Sequence, residues 1–398
     1  MQEQADQIFK QGILQYQNHQ FEAALQTWQQ ALIQYQNLKD RKRVGSTFGN
    51  LGVAYEALGN LDQAIKSYQQ HLAIAIEIED LKGQLNALGN LGNACYTQGD
   101  YHQAISYQQQ RLAIARQLQD PQTETQTLSN LGIAYHASGE ISQALEYYQQ
   151  QLAKASETNN YPSQGNALKN LRLAYQTLGE DTHAQNCYQQ QWAILRQRFL
   201  EEKSDEFVRI AKIVGFDLLE DLAGADLSGF DLNYADLPGV NLENANLTQA
   251  NLALADLSGA KLTQANLSQA ILSNANLRDT DLSYANLCQA DLRTKLPRAN
   301  LSYANLTQAD LSSAYLPQAN LSHANLSSAN LKYADLTGVD LTNANLQDAD
   351  LSRAELKDAI VENVCFTKAI GISRRVQSEL IERGAIFDQN QSKNATDN

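Results

Sequence analysis

The 398-residue chain is poor in the residues that most chemistry requires. Its four cysteines (Cys95, Cys187, Cys288 and Cys365) lie far apart in no metal-ligand spacing. They predict reduced thiols rather than a disulfide framework. The six histidines are scattered. No GxSxG, HExxH, P-loop or CxxC motif occurs, so no catalytic residue, metal site or cofactor is predicted and the chain is expected not to be an enzyme. No apolar run approaches the ~18 residues of a membrane helix, which predicts no membrane partner. The opening MQEQADQIFKQG has no basic stretch leading into an apolar one, so no secretory signal is expected and the location is expected to be cytoplasmic. Bases are also in deficit, 30 Lys and Arg against 44 Asp and Glu, a net charge of -14. Phosphate binding needs the opposite balance, so direct nucleic-acid binding is not expected.

What the chain does have is repetition. Ala24, Ala64, Ala104, Ala144 and Ala184 recur every 40 residues. Gly12, Gly52, Gly92 and Gly132 keep the same step, as do Gly59, Gly99, Gly139 and Gly179, and Asp40, Asp80, Asp120 and Asn160. Within one unit the spacing is helical. Leu51, Ala54, Tyr55 and Leu58 form one apolar stripe, and Ala64, Tyr68, Leu72 and Ala75 another. Gly59-Asn60 separates them, a residue that tolerates left-handed backbone followed by one that caps a helix. At the other junction Asp120-Pro121 supplies an N-cap acid and a proline at the first helical position. Each unit is therefore predicted to be a pair of helices.

Asn50-Leu51-Gly52…Tyr55…Gly59…Ala64…Tyr68 resembles the tetratricopeptide-repeat (TPR) signature, and residues 90–104 and 130–148 repeat it. The 40-residue step resembles the subclass of spindle-orientation adaptors and some bacterial signalling proteins. The resemblance implies five helix-pair repeats over residues 1–200. In the fifth, Arg172 stands where glycine is expected, as suits a terminal repeat. It also implies a concave groove lined by the first helix of each pair. Asn50, Asn90, Asn130 and Asn170 then hold the place whose carboxamide grips a bound peptide backbone. Val53, Asn93, Ile133 and Leu173, three residues on, offer mostly apolar contacts. The clamp that some relatives use for a terminal carboxylate looks incomplete, since Gly49, Gly89, Ser129 and Lys169 precede the asparagines. His71 and Arg111 fall on second helices and are expected to be solvated.

Beyond Phe216 the period changes. Every fifth residue is Leu from Leu222 to Leu292 and again from Leu296 to Leu356, and Ala stands two residues before most of them. Five steps of ~100° would spiral the leucines around a helix. An odd period would flip them between the faces of a flat strand. The pattern works only if the chain turns a corner every five residues with Ala and Leu both inward. Leu237-Pro238-Gly239 has the residues of a type II turn. Leu292 to Leu296 is four residues, which predicts a local distortion around Arg293–Lys295.

This pattern resembles the pentapeptide-repeat family, implying a right-handed quadrilateral β-helix of about seven coils, roughly 34 Å long at ~4.8 Å per coil. The predicted fold class is a multidomain α + β solenoid, an all-α TPR superhelix followed by a parallel β-helix. The predicted divisions are a TPR domain (1–200), a helical junction (201–215), the β-helix (216–370), a cap helix and strand (371–387) and a disordered tail (388–398).

The expected function is a non-enzymatic adaptor or scaffold. Its groove would bind a protein or peptide segment, and its rod would present a second surface or act as a spacer. No homodimer is predicted. Two alternatives come from the resemblances: a DNA-mimicking, gyrase-modulating protein, and a ligand-sensing signalling regulator. Residues 217–368 carry 19 acids and 9 bases, a net charge near -10. Over the rod that is one charge per ~3.4 Å, half the density of duplex DNA at one per ~1.7 Å. One side (Asn246, Asn266, Asn286, Asn305, Asn325, Asn345) is largely neutral. Asp226, Asp231 and Asp236 suggest calcium at first sight, but their step of five is the outward place before each Leu, where an acid supports a turn.

Overall fold

Ten helices follow one another with two alternating kinds of break. They are α1 (Gln2–Gln17), α2 (Phe21–Asn37), α3 (Arg41–Ala57), α4 (Leu61–Glu77), α5 (Leu81–Gln98), α6 (Tyr101–Gln117), α7 (Pro121–Ala137), α8 (Ile141–Glu157), α9 (Tyr161–Thr177) and α10 (Asp181–Glu202). The computed structural model describes residues 1–202 and 207–388. Within a pair, the break after α3, α5, α7 and α9 carries Gly59, Gly99, Gly139 and Gly179, all at positive φ. Between pairs, the left-handed place is held by Lys39, Glu79, Gln119 and Asn159, with no glycine. Asp40, Asp80, Asp120 and Asn160 cap the helices that follow, each carboxylate or amide oxygen accepting from the backbone N–H three residues on.

The glycines inside the first helices have a packing role. Tyr68 and Tyr148 lie so close over Gly52 and Gly132 that a Cβ there would stand 2.3 Å from the ring. Trp28 covers Gly12 in the same way. In the fifth repeat Arg172 replaces the glycine, and its guanidinium sits over the Tyr188 ring at 5.4 Å.

The chain divides into two compact units between Ile194 and Leu195, a few residues before position 200 and within α10. In the second unit Phe199 stacks on Phe230 at 5.1 Å, and Phe207 meets Phe230 edge-on. Phe207 opens α11 (Phe207–Ile213), whose Ile210 and Ala211 are buried with it. Apolar helical residues thus lie against the first turns of the β-helix. Of the expected junction, residues 203–206 lie outside the described residues.

From Asp226 to Ile370 the chain winds in square coils, each side joined to the next coil by one parallel bridge, 20 residues away except across one short corner. Asn246–Ala250 shows why five residues suffice. Asn246 N donates to Ala225 O (2.8 Å), Leu247 N to Asn266 O (2.7 Å) and Gln249 N to Ser268 O (3.0 Å). Ala250 N closes the turn on Leu247 O (3.0 Å). The remaining amide, Thr248 N, has no backbone carbonyl in reach and takes the Asn246 side-chain oxygen at 3.2 Å. Every N–H of the repeat is therefore satisfied, which a buried backbone demands. The same need explains the recurring Asp or Asn before most of the leucines. The leucines and alanines fill the interior with almost no exposure.

Each five-residue corner holds its second turn residue at positive φ, glycine or not. Tyr284, Leu254 and Gln249 all lie near +60°. Stacking forces a conformation that costs an L-residue roughly 1–2 kcal/mol.

The four-residue step is absorbed in a single corner. Asn276, Asp281, Asn286 and Asp291 pair 19 residues ahead, and Lys295 resumes the 20-residue step with Tyr315. The missing residue is the left-handed one. Thr294 takes the inward alanine place, buried, with its hydroxyl donating to Ala275 O. Arg293 folds back as a fork onto Asp291. The expected distortion is therefore confined to one corner and does not propagate.

At the far end α12 (Arg374–Glu382) buries Leu380. Ile386 bridges Cys365, and Phe387 stacks on Phe366 at 5.0 Å. Gly371, at φ +85°, passes so close to the last coil that a Cβ would lie 2.2 Å from Ser352 N. The tail expected from position 388 lies, from Gln389, outside the described residues.

Candidate functional site

Each repeat places its first helix with one face toward a shared surface, and the 40-residue step aligns equivalent side chains there. Between α3, α4 and α5 this surface sinks into a pocket of about 470 Å³. Asn50, Val53 and Asn90 line it, with Lys42, Lys82 and Asn86 at its edge and His71 in its wall. A smaller pocket of about 200 Å³ lies between α5, α6 and α7 and is lined by Asn93, Asn130, Ile133 and Gln108. Six of the eight residues expected to line the groove thus fall into two neighbouring depressions. Asn170 and Leu173, on α9, line neither; Leu173 is 43% exposed.

The second depression is more polar than its expected apolar contacts suggest. Asn93 Oδ1 accepts from both Asn130 Nδ2 and Gln108 Nε2, each at 3.2 Å. Asn93 therefore ties two asparagine-bearing helices together, while Ile133 supplies the apolar contribution.

The expectation that His71 and Arg111 are solvated is overturned. His71 is only 9% exposed and Arg111 is half-buried. The cause is a missing side chain on the facing helix. A Cβ at Gly49 would come within 2.9 Å of His71 Nδ1, and one at Gly89 within 3.0 Å of Arg111 Cζ. Glycine at these places lets the second-helix side chain pass beneath α3 or α5. Burial lowers the pKa of His71, opposed by the charge of Asp80. Burial likewise lowers that of Arg111, opposed by Asp120.

Neither side chain is fully satisfied. Among the described residues, His71 Nδ1 and Arg111 Nε are buried without a hydrogen-bond partner, as is Gln151 Oε1 one repeat further on. Positions 71, 111 and 151 are 40 apart and polar, whereas Ala31 holds the same place in the first repeat.

Asp226, Asp231 and Asp236 lie on three successive sides of the coil. Asp226 and Asp231 support turns, accepting from Ser228 N and Asn233 N. Among the described residues no cluster of His, Cys, Asp or Glu suits a metal. On the neutral side Asn286 donates to Asn266 and Asn305 to Asn286, both at 3.0 Å, so the carboxamides are engaged with one another. At the adjacent corner Tyr284, Tyr303 and His323 stack in parallel, 4.8 and 4.5 Å apart. Among the described residues no helix is long and apolar enough to cross a membrane.

Comparison with known proteins agrees with both periods. The tetratricopeptide repeat family matches residues 7–77, 44–117 and 127–160. The pentapeptide repeat family matches five stretches between residues 221 and 370. No curated protein matches the chain. Among solved structures, BtubC (BKLC) from P. vanneervenii is 20% identical, covering 53% of this chain and 82% of that one, with a TM-score of 0.43. Aspartyl phosphate phosphatase F from Bacillus subtilis is 19% identical, covering 52% and 55%, also at 0.43. HetL, a pentapeptide repeat protein from the cyanobacterium Nostoc involved in heterocyst differentiation regulation, is 34% identical over 36% of this chain and 85% of its own, at 0.21.

Proposed function

The chain joins tetratricopeptide repeats to pentapeptide repeats, and from that premise we propose that it is a non-enzymatic adaptor whose helical groove holds an extended segment of a protein partner. The observation that supports this is the pair of adjoining depressions on α3, α5 and α7. They gather carboxamides from Asn50, Asn90, Asn93 and Asn130 beside Val53 and Ile133. A carboxamide donates and accepts at once, which matches the alternating C=O and N–H of an extended backbone. Apolar patches between the amides take alternate side chains. The pentapeptide half serves as a rigid presenting surface or spacer, a reading supported by an interior packed with buried Leu and Ala along the coils.

The test is capture of partners from the native host by the full chain and by an Asn90→Ala/Asn130→Ala variant. The variant is expected to lose the partners that the wild type retains. If it keeps every one of them, the groove is not the binding surface.

A further inference from the structure

Three sides of the rod carry charge at the outward place before Leu: Asp291 and Asp310 on one, Asp335 and Glu355 on the next, Lys261 and Asp281 on the third. The fourth side differs. From Asn246 to Asn345 that place is Asn in six successive coils, and the place after Leu is Thr248, Ser268, Cys288, Thr307, Ser327 or Gln347. One edge is a ladder of carboxamides, Gln249 donating to Gln269, Gln269 to Gln289 and Gln289 to Gln308 at 2.8–2.9 Å. The other edge holds the Tyr284, Tyr303 and His323 stack. No Asp, Glu, Lys or Arg interrupts this side, and Asp226 and Asp348 mark its two ends. The stretch is ~24 Å long at ~4.8 Å per coil.

Depletion of charge together with exposed tyrosine is the composition of an interface core. Tyr284 is 55% and Tyr303 48% exposed. Covering this side removes no ionised group from water, whereas covering any of the other three does. Its hydrogen-bonding groups are also self-complementary. Asn286 and Asn305 each give one amide hydrogen to the coil before, which leaves the second for an outside acceptor. The hydroxyl oxygens of Thr248, Ser268 and Ser327 on the same side can accept such a hydrogen.

The step of the coils selects the partner. Groups repeated every ~4.8 Å are matched along the whole side only by a surface of equal pitch, which a second copy supplies by identity. We propose that the neutral side is a self-association surface, on which two copies of the chain lie face to face about a two-fold axis and close as a dimer. The side is narrower than a standard interface, so the association is weak and is measured at ~1–100 µM protein. This inference is independent of the helical groove.

The test is sedimentation velocity of the full chain across that range. The wild type is expected to shift from monomer to dimer. Asn286→Asp/Asn305→Asp places two carboxylates on the neutral side and is expected to weaken association at least about ten-fold. Asp holds the same place in other coils, as at Asp281 and Asp310, so the fold is expected to tolerate it. Asn320→Asp/Asn330→Asp adds the same charge on two other sides and is expected to leave association within about two-fold of wild type. A monomer throughout overturns the inference, as does a dimer that both double variants weaken equally or that neither weakens. A second readout keeps the native neutral side, should the first variant not fold. Cys288 lies near its middle, while Cys95 and Cys187 are buried. In a Cys365→Ser background a short bis-maleimide is expected to link two chains through Cys288. Absence of that link, or a link that persists in Cys288→Ser, overturns the inference.

Discussion

Replacing Gly132 by Ala separates two opposing effects at one position. Gly132 lies inside α7, where helix propensity alone favours alanine by ~0.8–1.0 kcal/mol. Against this, the new methyl would sit 2.3 Å from Tyr148 Cε1, and ordinary contact begins near 3.4 Å. The ring must retreat by about 1 Å. It has no free space, since Tyr148 is 2% exposed and belongs to a cluster with Ala144, Leu168, Leu171 and Ala174. Overpacking of this kind costs ~1–3 kcal/mol. The expected net effect is a loss of about 0–2 kcal/mol, seen as a fall of up to a few degrees in the thermal midpoint of the helical circular-dichroism signal. Gly92→Ala is the control. Its methyl meets the Gln108 side chain, a longer and more flexible group, so the loss should be smaller. A Gly132→Ala protein more stable than wild type would mean that propensity outweighs the Tyr148 contact, refuting the close-packing account of the glycine.

Three further outcomes are expected. His71 is buried and its folded-state pKa lies below its ordinary value, so the unfolded chain binds the proton more readily. Stability should then decline as pH falls below ~6.5, by up to ~1.4 kcal/mol per pH unit, until the folded-state pKa is reached. His71→Gln should flatten that slope in denaturant titrations, and an unchanged slope would locate the titration elsewhere. A glycine inserted between Arg293 and Thr294 restores the five-residue step and should leave the β-helix folded. The same insertion after Gln249 makes a six-residue step and should lower its unfolding midpoint; equal damage at both sites would contradict the register seen at the short corner. Gly371→Ala places a methyl against Ser352 N at φ +85°, so the terminal cap should loosen and expose unpaired edges. Concentration-dependent association in light scattering reads this out, and a monodisperse variant would argue against it.

Much of the architecture was legible because both periods are set by residues that local geometry demands. Glycine at position 59 and its equivalents marks the break inside a pair, and Asp or Asn before most of the leucines marks the corner. The break between pairs was less visible. Its left-handed residues are Lys39, Glu79, Gln119 and Asn159, chosen against propensity because packing imposes the turn. The corners of the β-helix were read from Leu237-Pro238-Gly239, yet most of them hold side chains at positive φ. The groove residues were found by their place in the repeat. The burial of His71 and Arg111 was not, because it depends on two glycines in a different helix of the same pair. Only the assembled pair shows that a side chain assigned to solvent has a channel beneath its neighbour.

The self-contained repeat gives the rod a length that changes in discrete steps. Because each block of five closes its own amides against the coils above and below, twenty residues can be added or removed as a unit without redesigning the interior. Tandem duplication within the gene would then lengthen the rod by ~4.8 Å at a time while each corner stays where it was. A protein built this way is a molecular ruler, and the lone nineteen-residue coil shows that even a misprint in the graduation leaves the scale readable.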